Sequence, residues 1–181
     1  MTHDRDLLDQ LSALPQETFD GEVFRATRIN LDPLAGSYNG GRWMPRDTAA
    51  ILYTSLLRDG ALAEIAFHFS QLDPKPSKSV MVHRLRVVTQ RALKLIRADL
   101  RALSVDDNSY QEINLVRTQA IGAAVEFLGC DGLIAPSARW LCDNLMVFPE
   151  RMSTGATLEV ITSESVDWSA WATTAGFPKN L

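Results

Sequence analysis

The chain has 181 residues and a formal net charge of −4, so one domain with a substantial core is expected, and the slight acidity argues against nucleic acid as the direct partner. Its two cysteines, Cys130 and Cys142, show neither close metal-ligand spacing nor a multi-cysteine disulfide framework. No apolar run reaches the length of a membrane span, and the polar stretch Met1–Gln10 does not read as a signal peptide, so a cytoplasmic protein with reduced thiols is expected.

Taken in chain order, residues 3–14 read as an amphipathic helix with Leu7, Leu8, Leu11 and Leu14 on one side, ended by Pro15. Residues 22–29 read as a strand whose period of two puts Val23, Arg25, Thr27 and Ile29 on one face. An arginine on such a face sits at a strand end or looks into a polar cleft. Residues 30–46 carry the glycines and prolines of a long loop, the candidate gate of a site. A short strand follows at 50–54. Asp59-Gly60 then leads into a helix to about Gln71, with Leu62, Ile65, Ala66 and Phe69 on its core stripe. Glu64 falls off that stripe beside Ala63 and Phe67, so the helix is apolar nearly all round and its carboxylate must be paired, protonated or employed.

Residues 73–77 form a turn, 79–88 a strand with Met81, Leu85 and Val87 facing one way, and 92–96 a further strand; 100–105 is ambiguous between helix and loop. The basic residues from Arg84 to Arg101 read as solvated faces. Ser109 with Glu112 has the capping-box pattern, and a helix from there to Leu128 would turn Ile113, Ala120, Ile121, Ala124 and Val125 inward and stop at Gly129. Residues 133–135 read as a buried strand ending at Pro136-Ser137, with further strands at 145–148 and 157–162 and a short helix, carrying Trp168 and Trp171, at 166–174.

The chemistry concentrates around Asn39-Gly40-Gly41-Arg42-Trp43, Tyr53 and Glu64. Adjacent glycines permit a positive φ or a close backbone approach. Arg42 supplies a permanently charged fork for phosphate or carboxylate oxygens, and Trp43 is placed to pack beneath the loop; a plain Gly-Gly turn with a surface arginine is the alternative. No phosphate-binding Gly-rich loop, dinucleotide fingerprint or nucleophile elbow is present. Glu64 and His68, at i and i+4, lack an evident third metal ligand, so no metal site is expected. What remains is Arg25, Arg42, Tyr53, Glu64 and Ser137. Two arginines, an aromatic ring and one carboxylate suit a dinucleotide bearing a pyrophosphate and a planar cationic ring. In that arrangement Glu64 would complement the oxocarbenium-like state of a breaking N-glycosidic bond.

The segments Val23-Phe24-Arg25, Gly40-Gly41-Arg42-Trp43, Ile51-Leu52-Tyr53, Ala61-Leu62-Ala63-Glu64 and Pro136-Ser137 with Asn144 carry a resemblance to the RES-domain toxins of bacterial toxin–antitoxin pairs. It covers roughly residues 20–150. Trp140 and Cys142 depart from the pattern after the serine, and the tail after Arg151 has no placed counterpart. The resemblance implies an α+β single domain like the ADP-ribosyltransferase fold, with a split, mainly antiparallel sheet and flanking helices. Residues 1–19 would be an N-terminal helical extension, 20–164 the catalytic domain and 165–181 a C-terminal helical tail packed on it. Arg25, Glu64 and Ser137 would be catalytic, and Gly41, Arg42, Tyr53 and Asn144 would bind NAD. NAD would be a substrate rather than a resident cofactor, cleaved between nicotinamide and ribose with water or phosphate as acceptor. The implied partner is an Xre-type helix-turn-helix antitoxin covering the active site, with no direct contact to nucleic acid or membrane. The rival readings are a protein ADP-ribosyltransferase and a non-catalytic partner-binding domain.

Overall fold

Two long antiparallel strands frame the structure, a computed structural model that describes residues 3–178. Residues 1–2 and 179–181, the outer ends of the expected extension and tail, lie outside the described residues. In chain order the elements are α1 (Arg5–Ser12), β1 (Gln16–Arg28), β2 (Leu52–Ser55), α2 (Arg58–Ser70), β3 (Val80–Lys94), α3 (Arg97–Ala102), α4 (Val116–Phe127), β4 (Gly132–Pro136), β5 (Asp143–Val147), a 3-10 turn at Pro149–Arg151, β6 (Thr157–Val166) and α5 (Trp168–Ala175).

The strands run β1-β2-β5-β4-β3-β6, and β1 also pairs with β3, so the sheet curls into a barrel-like ring with β6 on the outer edge of β3. The pairing is antiparallel except between β3 and β4. The result is a single α+β domain with a mixed sheet. The long ladder runs from Gln16↔Leu93 to Arg28↔Val80. By contrast β1 and β2 share one register pair, Phe24↔Ser55. Beyond that pair the strands diverge, and the sheet opens.

Apolar alternation explains the layers. Inside the ring, Val23, Leu52, Leu85, Val87, Ile134, Leu145 and Val147 form one cluster. The opposite face of β3 sets Val80 and Val82 against Leu62, Ala66 and Phe69 of α2 and Trp168 of α5. A third cluster joins Leu7 and Leu11 of α1, Ile121, Ala124 and Val125 of α4, Leu133, Met146 and the loop residue Trp43. Helix α2 therefore buries Gly60, Ala61, Leu62, Ala63, Ala66 and Phe69 on more than one side, as its sequence requires.

Several boundaries differ from the sequence expectation. Residues 79–88 and 92–96 are not two strands: β3 is continuous, because its ladder to β1 carries on through Phe19↔Thr89 and Glu17↔Ala92. Where β3 meets β4, the buried Asp131 carboxylate accepts the amides of Gln90 (2.7 Å) and Arg91 (2.8 Å). Strand β1 starts at Gln16 rather than 22, since β3 is long enough to pair with it that far.

Ser109 does not cap a helix. Its hydroxyl donates to the carbonyl of Asp106, residues 107–111 form turns followed by a bend at 112–113, and α4 begins at Val116. Tyr110 is buried with its hydroxyl on the Pro136 carbonyl at 2.6 Å, which anchors the turn segment, and Ile113 is 69% exposed rather than inward. Gly129 does end α4, with φ +77°.

Among the described residues no helix is long and apolar enough to cross a membrane.

Candidate active site

The opening between β1 and β2 is a cavity of about 730 Å³. Its walls come from Arg25 and Thr27 of β1, the 39–43 loop, Tyr53 and Ser55 of β2, Glu64, Phe67 and His68 of α2, the 112–115 turn, and Arg139 and Asn144. A volume of this order falls within the usual small-molecule range of roughly 300–1,000 Å³.

Glu64 is the best-anchored group in it. Its Oε1 accepts the Ser137 hydroxyl at 2.9 Å and the Asn144 side-chain amide at 2.8 Å. Ser137 stands at the end of β4 and Asn144 near the start of β5, paired neighbours through Pro136↔Asp143 and Ala135↔Asn144. The strand pair thus delivers two donors to one carboxylate oxygen on a helix. Ser137 Oγ also accepts the amides of Arg139 (3.0 Å) and Trp140 (3.2 Å), so the hydroxyl is fully committed. It is 2% exposed and sits one layer behind the cavity wall, where it orients Glu64. Asn144 Oδ1 is buried and unpartnered.

The glycines act on the protein's own groups. Gly40 has φ +76°, and the Gly41 amide donates to the Met44 carbonyl at 2.8 Å. A Cβ on Gly41 would stand 2.6 Å from the Tyr53 hydroxyl, which accepts the Trp43 amide at 3.0 Å. Gly41 is therefore glycine because Tyr53 reaches across beneath it. Burial raises the Tyr53 phenol well above its ordinary pKa, so it is neutral and available as a ring surface. Trp43 is buried, as the sequence suggested, and its carbonyl is pressed against α4 at Gly122, where a Cβ would lie 1.7 Å from the oxygen.

The cations are set around this frame. Arg25 is half-buried, its Nη1 is buried without a hydrogen-bond partner, and burial pulls its guanidinium below the ordinary pKa, partly offset by Asp32. Arg42 stacks over Tyr110, 5.0 Å from the ring centre, and donates Nη2 to the Glu112 carbonyl at 3.3 Å. Burial lowers its pKa too, while Tyr110 and Glu64 act the other way. Arg139, which the sequence did not single out, lies over Phe67 with 3.3 Å between guanidinium carbon and ring centre. No local pattern marked it, since Phe67 and Gln111 reach it only through the fold. Tyr110 was hidden by the expectation of a helix there. His68 lines the cavity but is exposed, and among the described residues no group of three or more His, Cys, Asp or Glu could hold a metal ion.

The structure thus gathers Arg25, Gly41, Arg42, Tyr53, Glu64 and Asn144 around one cavity, with Ser137 behind it. Such an α+β domain, opened at a diverging strand pair over one oriented carboxylate and several arginines, defines the class. The RES domain family model matches residues 22–169, and the chain belongs to that family. The match runs through β6, a region for which the sequence resemblance had no counterpart. The fold is similar to a chain in the crystal structure of the M. tuberculosis MbcT–MbcA toxin–antitoxin complex, with a TM-score of 0.82 and 19% identity over 94% of this chain and 97% of that one. None of the curated proteins matches the sequence.

Proposed function

We propose that this protein is the toxin of a toxin–antitoxin pair and arrests growth by degrading NAD at the bond between nicotinamide and ribose. The observation that carries the reading is the Glu64 carboxylate, fixed by Ser137 and Asn144 in a cavity that also holds Arg25 and Arg42. Cleavage of an N-glycosidic bond leaves positive charge on the ribose, and a preorganised anion beside it lowers the barrier. Arg25 and Arg42 suit the diphosphate, whose oxygens take charge-assisted hydrogen bonds from guanidinium groups. The neutral ring of Tyr53 suits the flat nicotinamide, and the buried, unpartnered Asn144 Oδ1 suits a hydroxyl or amide of that half of the ligand. Ser137 contributes by holding Glu64.

The cleft between β1 and β2 fits the split sheet of an ADP-ribosyltransferase-like fold. Water or phosphate would accept the ADP-ribose. The likeness to a chain of a toxin–antitoxin complex supports an antitoxin partner, which we take to be of the Xre helix-turn-helix type and to cover the cavity in the cytoplasm. Controlled expression in bacterial cells tests the reading. Wild-type protein should deplete cellular NAD and stop growth, and Glu64→Gln should do neither. Growth arrest with NAD levels intact would redirect the proposal to protein modification.

A further inference from the structure

We propose that Arg139 is a third diphosphate-binding residue of the cavity, acting with Arg25 and Arg42. The inference rests on the reading of the cavity as a dinucleotide site.

Three observations lead to it. First, the backbone of Arg139 is pinned to the reaction frame. Its amide donates at 3.0 Å to the Ser137 hydroxyl, and that hydroxyl donates to Glu64 at 2.9 Å. Arg139 is therefore registered to the carboxylate through a single oxygen atom.

Second, its side chain is held without being neutralised. The guanidinium lies on the Phe67 ring, and Phe67 is three residues beyond Glu64 on α2. Nη1 donates to the Gln111 carbonyl at 2.6 Å, next to the Glu112 carbonyl that Arg42 takes at 3.3 Å. Stacking fixes the plane of the fork, and a plane so fixed is pre-organised for bidentate contact with an oxyanion.

Third, the charges do not balance. Arg58, Arg84, Arg86, Arg97, Arg101 and Arg151 form salt bridges; of the described arginines that form none, Arg25, Arg42 and Arg139 are the ones that are both half-buried and on the cavity wall. Burial and the positive charge of Arg42 both act against the Arg139 cation, with Glu64 as the offsetting charge. Part-desolvated cations of like sign, with Glu64 as the shared carboxylate and Asp32 acting on Arg25 but neither in a salt bridge with them, are costly unless an anion joins them. A diphosphate supplies the missing negative charge, and its oxygens make stronger partners than the carbonyls of Gln111 and Glu112. Binding would exchange these carbonyl contacts for phosphate contacts, with the turn segment still anchored by Tyr110 on Pro136.

The test is calorimetric titration of the full chain with ADP-ribose, which carries the diphosphate, and with nicotinamide riboside, which does not. It compares wild type, Arg139→Gln and Arg139→Lys at low and moderate salt. Loss of one charged hydrogen-bond donor should weaken ADP-ribose binding by about ten- to a hundredfold. The salt dependence of that binding should become shallower, and nicotinamide riboside binding should be unchanged. Arg139→Lys should fall between, keeping charge without the stacked fork, and it decides the matter if Arg139→Gln does not fold. Equal ADP-ribose affinity in the variants and wild type would overturn the role of Arg139 and leave the dinucleotide reading standing. Parallel loss of both ligands would also overturn it, since it would mark a structural role. Failure of wild type to bind ADP-ribose would overturn the dinucleotide reading and this inference with it.

Discussion

The Ser137 hydroxyl donates to Glu64 Oε1 across 2.9 Å and 73 positions of sequence, joining the end of β4 to the middle of α2. Ser137 Oγ itself accepts two backbone amides, those of Arg139 and Trp140, so the turn after β4 and the carboxylate are positioned together. Ser137→Ala removes a donor from Glu64 and the acceptor for the Arg139 and Trp140 amides. Unfolding free energy should fall by about 1–3 kcal/mol. Turnover should fall more than substrate affinity, because the carboxylate is loosened while the arginines remain. Denaturant unfolding and a kcat-against-KM comparison check both effects.

Glycine contacts make a graded prediction. A Cβ at Gly122 would meet the Trp43 carbonyl oxygen at 1.7 Å, backbone against backbone with no rotamer to relieve it. Gly122→Ala should therefore fail to yield folded protein. A Cβ at Gly41 would meet the Tyr53 hydroxyl at 2.6 Å, the far end of a side chain. Gly41→Ala should fold with a penalty on the order of 1–3 kcal/mol and lose ligand affinity, as Tyr53 is pushed from beneath the loop. Thermal melts of both variants are the check.

Asp131 is a structural carboxylate that no feature of the sequence pattern singled out. It is 1% exposed and accepts the amides of Gln90 and Arg91 where β3 and β4 meet. Asp131→Ala leaves both amides unpaired in the interior, so a loss of about 2–5 kcal/mol is expected from two such groups. Asp131→Asn, which retains one acceptor, should lose less. Urea titration of the two variants should preserve that order.

His83 gives a pH prediction. It is buried, with Nε2 at 2.9 Å from Thr27 Oγ1 and Nδ1 at 2.7 Å from Ser163 Oγ. Burial, and then the charge of Arg25, lower its pKa in the fold. A lowered folded value means the fold prefers neutral imidazole. The stabilisation is thus complete above the unfolded value of about 6.5 and is lost as pH falls through the folded one. Melting temperature should decline on acidification through that window, and His83→Gln should flatten the decline.

Much of this was legible in the residues themselves. Period-two alternation around Val23 put Arg25 on an apolar face, so either at a strand end or in a polar cleft, and the all-round apolar surface of α2 made Glu64 conspicuous. The positive φ of Gly40 and the buried Trp43 follow from the same local chemistry. The start of α4 did not. A capping-box pattern at Ser109 is a local preference, and the Tyr110 hydroxyl on Pro136, a tertiary contact, overrides it. Arg139 was equally opaque, because its importance comes from Phe67 and Gln111, which only the fold brings to it. The continuity of β3 depended on its partner β1, and strand pairing over such separations leaves no local trace.

The central claim is that Glu64 drives cleavage of NAD, and its most direct test is NAD consumption by the purified, partner-free protein with products identified by mass. Wild type should release nicotinamide, giving ADP-ribose in water alone or its phosphate ester when phosphate is the acceptor. Glu64→Gln should keep its melting temperature within a few degrees while turnover falls on the order of a hundredfold or more. Intact NAD after incubation with wild type, or undiminished turnover by a folded Glu64→Gln protein, would contradict the account.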